Sequence, residues 1–156
     1  MLILLMQAVQ SLPSPSSDNG WRGVLPLHST TSDVEKRLGP AAETLPGAAL
    51  YRTKDGIVRI SYSEGTPCDT KDSHWRVPAE TVIRVDVTLS PGHLLSKFNL
   101  DETKYTKKSG GDRPEDVYYV NEEGEVLRVF NGEVMEIYYG PTSSDKNLKC
   151  PPLKQR

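Results

Sequence analysis

The stretch Trp21-Arg22-Gly23-Val24-Leu25-Pro26-Leu27-His28-Ser29-Thr30-Thr31-Ser32-Asp33-Val34-Glu35-Lys36-Arg37-Leu38-Gly39 holds the one well-punctuated helix of the chain, ahead of everything that reads as strand. Thr30 is a good N-cap. Asp33, at the third helical position, can reach back to a free amide and meets the positive end of the helix dipole. Gly39-Pro40 ends the helix, because glycine tolerates the left-handed conformation that closes it and proline cannot donate the next hydrogen bond. Val34 and Leu38, four apart, give one apolar stripe about two turns long. So short an amphipathic helix does not stand alone in water, and it must lie on a sheet.

The sheet is written downstream. Residues 40–47 read as loop, and then 50–53 and 57–62 flank Lys54-Asp55-Gly56, an Asp-Gly hairpin signal between β-formers. Residues 63–80, with Gly65, Pro67, Cys68, Trp75 and Pro78, read as a long excursion. Residues 81–89 alternate, with Val85, Val87 and Leu89 on one face and Arg84, Asp86 and Thr88 on the other, as a half-buried strand does. Ser90-Pro91-Gly92 breaks the chain. Residues 93–100, carrying Leu94, Leu95, Phe98 and Leu100, read as a short helix or an irregular strand, helix being preferred, and 107–114 as an exposed loop. Three strands follow at 116–120, 126–130 and 134–139. They are joined by Asn121-Glu122-Glu123-Gly124 and by Asn131-Gly132, the latter typical of a two-residue type I′ turn.

Tyr51 to Gly56 has the spacing of Tyr119 to Gly124, Val58-Arg59-Ile60 parallels Leu127-Arg128-Val129, and Thr81-Val82-Ile83-Arg84-Val85 parallels Glu133-Val134-Met135-Glu136-Ile137. The chain therefore reads as two tandem helix-plus-meander halves, 21–89 and 90–140, although meanders also resemble one another by composition. Neither half buries much alone, so the two share one sheet or pack face to face. The expected fold class is α+β, with one or two short helices packed on an antiparallel sheet. It forms a single domain over 21–150, between a signal-like segment and Ser/Pro linker at 1–20 and a tail at 151–156.

A chain of 156 residues is long enough for one core without metals. Its 19 Lys+Arg and 21 Asp+Glu give a net charge of -2 with the signs interspersed, which argues against nucleic acid or an anionic membrane as partner. Residues 1–10 are apolar and pass into a Ser/Pro spacer. This looks like the later part of a secretory signal without its basic start or a clean cleavage site, and the other reading is an apolar N-terminus packed on the domain. The run is too short to span a bilayer, and it carries no lipobox cysteine. Cys68 and Cys150 belong to no C-x-x-C or Cys/His cluster. In an exported chain they would pair and tie the tail to the middle of the chain; in a cytosolic one they would be two separate buried thiols.

The run from Leu27 to Pro40, with Ser29, Thr30, Asp33-Val34 and Leu38-Gly39, followed by Tyr51-Arg52-Thr53-Lys54-Asp55-Gly56 and a strand, resembles the opening helix and hairpin of the BamE (SmpA/OmlA) and β-lactamase-inhibitor-protein-like modules. The likeness covers about 25–62, with a fainter echo in 93–140. The Trp-Arg-Gly-x-x-Pro-Leu-x-Ser-Thr opening is also similar to that of uncharacterised exported bacterial proteins. The resemblance implies a helix ahead of an antiparallel sheet in an exported bacterial protein, either an envelope assembly factor or an inhibitor presenting a concave sheet to an enzyme. The missing lipobox cysteine departs from the lipoprotein branch and takes outer-membrane assembly with it. No functional residue of these families carries over.

Chemistry is sparse. His28 beside Ser29, His93 near Ser96, and His74 in Asp72-Ser73-His74-Trp75 are the pieces of a triad, but no serine sits in a Gly-x-Ser-x-Gly elbow. No metal is expected, since the histidines lack ligand spacing and Glu64, Asp69 and Asp72 fit no calcium-loop register. Gly110-Gly111 lacks the strand-to-helix context of a phosphate loop, and the carboxylate pairs Glu122-Glu123 and Asp101-Glu102 lie at turns with nothing apolar to split their pKa values. No cofactor follows from any of this. The aromatic residues say more: Tyr118-Tyr119 and Tyr138-Tyr139 are adjacent on strands, so one of each pair faces the core and the other the open face. The reading is a non-enzymatic periplasmic or secreted module that holds a protein, such as one of the cell envelope, through the exposed sheet face and the 63–80 excursion. Trp75, Tyr119 and Tyr138 are its candidate contacts. The competing reading is a small-ligand carrier or hydrolase-like enzyme with a site at His74, Trp75 and Asp72.

Overall fold

A computed structural model of the chain describes residues 20–68, 74–110, 113 and 115–152. The helix α1 (Thr31–Leu38) is capped as its sequence requires. The Thr30 hydroxyl accepts from the Asp33 amide, and the Asp33 carboxylate accepts from the Thr30 amide at 2.9 Å. Val34 is fully buried and Leu38 packs beside it on the core.

Eight strands form one antiparallel sheet: β1 (Glu43–Leu45), β2 (Ala48–Thr53), β3 (Gly56–Tyr62), β4 (Val82–Leu89), β5 (Tyr105–Ser109), β6 (Asp116–Asn121), β7 (Glu125–Phe130) and β8 (Glu133–Tyr139). Their order, β1-β2-β3-β4-β8-β7-β6-β5, is that of two four-stranded meanders joined through their last strands. The sheet therefore dominates, with one α-helix among the described residues. Residues 93–100 do not form a second one. Leu95–Lys97 is a single 3-10 turn, and Leu94 instead bridges to Glu133 on β8. The chain preceding β5 is thus held to the sheet by backbone pairing, and Phe98 supplies the buried anchor.

Six strands lie within two residues of the expected bounds, while β1 falls in the expected loop 40–47 and β5 runs into the expected loop 107–114. Both are edges, paired on one side only, and their residues are largely exposed. Asn131 and Gly132 both have positive φ, as a type I′ turn needs. Lys54-Asp55-Gly56 closes differently: Lys54 and Asp55 occupy the turn and Gly56 is the first residue of β3, opposite Thr53.

One face of the sheet is the core. Across the strands it presents Tyr51, Val58, Val87, Ile137, Leu127 and Tyr119 in one row, and Ala49, Ile60, Val85, Tyr139 and Glu125 in the next. Trp21, Val24, Val34 and Phe98 complete the same cluster. The seam between the meanders is short: Val85↔Tyr139, Asp86↔Tyr138, Val87↔Ile137 and Thr88↔Glu136. Through this register the meanders map onto each other by a local two-fold at the Asp86–Tyr138 pair. The irregularities in β3–β4 and β7–β8 fall at matching places, opposite Ile83 and Met135. In this mapping Ala49 takes the place of Tyr119 and Ile60 that of Leu127, an offset of two residues from the sequence spacing.

Cys68 and residues 74–76 of the excursion meet residues 148–150. Cys68 and Cys150 form a disulfide, Trp75 bridges to Lys149, and the Arg76 and Cys150 amides donate to Leu148 and His74 carbonyls at 2.7 and 3.0 Å. His28 Nε2 lies 2.9 Å from Asp145 Oδ1, joining the segment before α1 to the 3-10 helix Ser143–Leu148.

Candidate functional site

The outer face of the sheet is the candidate. Strand alternation puts every second residue there, and the register arranges them in rows. One row runs across all eight strands: Glu43, Leu50, Arg59, Asp86, Tyr138, Val126, Val120, Thr106. The next holds Arg52, Ile57, Thr88, Glu136, Arg128, Tyr118 and Lys108. Phe130 lies beyond, between Asp116 and Glu133.

The centre is held by charge. Arg128 donates through Nε and Nη2 to the two carboxylate oxygens of Asp116 at 3.2 and 3.3 Å, and through Nη1 to Glu136 at 2.9 Å. These bonds push the Arg128 pKa up, so the guanidinium is permanently charged. Burial pushes Glu136 up, but hydrogen bonds from Tyr138 and Arg128 outweigh it and its carboxyl is held below the ordinary value. Burial and the bond to Glu136 raise the Tyr138 phenol. Arg84 ion-pairs with Asp86 and stacks its guanidinium 4.7 Å from the Tyr138 ring centroid. Tyr118, Tyr138, Phe130, Val126 and Val120 are half-buried around this lattice. Tyr138 is therefore fixed by two contacts, which lowers the entropic cost of using its ring as a contact surface.

Of the residues read as contacts, Tyr138 is on the outer face. Tyr119 is not: it is 7% exposed in the core, and Tyr118 takes the outer position. The sequence leaves this parity open, because Val117 shares a face with Tyr119 and Val120 one with Tyr118, so each face carries one tyrosine and one valine. Only the pairing of Tyr119 with Leu127 decides it. Trp75 is half-buried beside the disulfide, on the excursion. Arg128, Asp116 and Glu136 escape a reading of the sequence because their convergence needs β6, β7 and β8 side by side.

Among the described residues the pieces of a catalytic site do not meet. His74 is exposed, and Asp69, Asp72 and Ser73 lie outside the described residues. Ser29 is buried, with its Oγ accepting from the Leu25 amide at 2.9 Å, while His28 turns to Asp145. His93 packs edge-on to Phe98. Among the described residues no three His, Cys, Asp or Glu side chains converge as metal ligands. Nor is any described helix long and apolar enough to cross a membrane.

On the core face, Glu125 is 6% exposed beside Tyr139. Its Oε2 accepts from Tyr105 and, at 3.3 Å, from Asn121, whereas Oε1 has no hydrogen-bond partner. Burial raises its pKa against the pull of hydrogen bonding from Tyr105, Tyr139 and Asn121.

No family model, curated protein or solved structure matches this chain.

Proposed function

We propose that the protein is an exported, non-enzymatic interaction module that holds a protein partner on the outer face of its sheet. The observation that carries this reading is the half-buried aromatic and aliphatic group Tyr118, Tyr138, Phe130, Val126 and Val120, set around a satisfied Arg128 lattice. Aromatic side chains held rigid by polar neighbours are what a recognition surface uses, and they make up most of the energy of such contacts. Export is supported by the disulfide, which persists in oxidising compartments, and by the signal-like opening. The test is site-specific photocrosslinking in an exporting bacterial host, with a benzophenone side chain at 118, 126 or 138 and, as control, at Lys36 on α1. A discrete adduct from the sheet positions and none from the helix is expected. Equal labelling at all four positions, or none at the sheet, would sink the reading.

A further inference from the structure

We infer that the β2–β3 quarter of the outer face is a carboxylate-binding wing, so that the partner is a protein carrying an acidic patch beside the apolar surface it offers to Tyr118 and Tyr138. The inference rests on the open-face reading above and adds the chemistry of the partner.

The argument is one of charge left over. Leu50 stands opposite Arg59 and Arg52 opposite Ile57, which makes a two-by-two checkerboard of arginine and aliphatic residues on adjacent strands. Arg52, Arg59 and Ile57 are exposed, and Ile57, at 44%, is one of two large apolar side chains so exposed among the described residues. Asp86 is the cross-strand neighbour of Arg59, yet its carboxylate is taken by Arg84 on its own strand. Asp116 and Glu136 are both taken by Arg128. Arg52 and Arg59 make no ion pair or side-chain hydrogen bond among the described residues, so against Asp86, Asp116 and Glu136, already committed, and the single carboxylate of Glu43 at the β1 edge of their row, this wing carries an excess of guanidinium.

The meander mapping sharpens the contrast. Arg59 takes the place of Val126, and Leu50 that of Val120, so the two wings offer different chemistry from matching positions. A guanidinium next to an exposed aliphatic side chain suits a carboxylate flanked by apolar surface, since it is weakly hydrated and binds the two oxygens in a fork. From β3 to β6 is four strand spacings, about 19 Å. The partner must therefore place its carboxylates about that far from the apolar group that meets Tyr118, a spacing within one protein interface of ordinary size.

The test uses the full, disulfide-intact protein, isotopically labelled, titrated with a random Glu/Tyr copolymer and in parallel with a Lys/Tyr copolymer and phosphatidylglycerol vesicles. The Glu/Tyr polymer is expected to shift amide resonances along β2, β3, β6 and β8, with an affinity that falls as salt is added. The Arg52→Glu, Arg59→Glu double variant should weaken it about tenfold, while a Lys36→Glu, Arg37→Glu control on α1 leaves it unchanged. Both variants change exposed positions, and unaltered thermal midpoints check that they fold. If Tyr118→Ala with Tyr138→Ala abolishes binding while the arginine reversal does not, the carboxylate wing is wrong and the open face stands. Equal loss in the helix control, or a response to vesicles and not to the acidic polymer, also overturns the acidic-protein partner. Loss in neither sheet variant overturns both readings.

Discussion

Glu125 is the residue whose environment is most at odds with its chemistry. It faces the core, one carboxylate oxygen is without a partner, and burial raises its pKa. A folded-state pKa above the unfolded one means that protonation favours the fold. The contribution is fully present below the ordinary glutamate value and is lost as pH rises through the raised one. Glu125→Gln, which keeps the shape without the charge, should therefore match the wild type near pH 4. By pH 8 it should be the more stable by about 1–2 kcal/mol, the scale of an unsatisfied buried group. Urea unfolding of both proteins across that range checks this, and a gap independent of pH would contradict it. Arg128 illustrates the opposite outcome: Asp116 is as deeply buried, at 4% exposure, but both of its carboxylate oxygens are matched by a forked guanidinium. Neither environment is legible locally. Glu125 follows Gly124 at a turn and looks solvated until β8 lays Tyr139 against it.

At the scale of the element, turns and caps were the most legible because their chemistry is local. The Thr30–Asp33 capping box and the Asn131-Gly132 turn need only their own residues. At Gly56 the neighbour matters as well. This glycine has a φ of +150°, and a Cβ there would lie 2.0 Å from the Thr88 carbonyl oxygen on β4, whereas at Gly132, with φ +79°, a Cβ would meet nothing within 4 Å. Gly132→Ala should thus cost only the left-handed backbone penalty, about 1 kcal/mol. Gly56→Ala must push β3 from β4 and should cost about 3 kcal/mol. Thermal unfolding ranks the two, and a Gly132→Ala protein as unstable as Gly56→Ala would refute the close-approach argument. The edge strands lie at the other extreme. Tyr105-Thr106-Lys107-Lys108-Ser109 has no apolar alternation, because an exposed edge buries little, and its lysines discourage pairing with another chain.

For the whole molecule, the seam decides cooperativity. Val87 and Ile137 are buried opposite each other across β4 and β8, and Leu127 pairs with Ile137 from the other side, so the core runs without a break through both meanders. Ile137→Ala opens a cavity at that seam and should cost about 3 kcal/mol. Both tryptophans, Trp21 and Trp75, precede β4 in the chain, while the substitution is in β8. If the sheet is one cooperative unit, tryptophan fluorescence and far-ultraviolet circular dichroism will shift to the same lower urea midpoint. A fluorescence transition left where the wild type has it would mean that the meanders unfold separately.

By itself, the sequence determined the capped helix, six strands and the type I′ turn, since each is set by neighbours within a few residues. Tertiary structure alone decided that β4 pairs with β8, that β1 and β5 are strands, that Tyr118 rather than Tyr119 faces outward, and that Arg128 gathers Asp116 and Glu136. Strand parity and partner choice depend on which residues lie across a pair of backbones, and a period of two reads the same from either face until a neighbouring strand buries one of them.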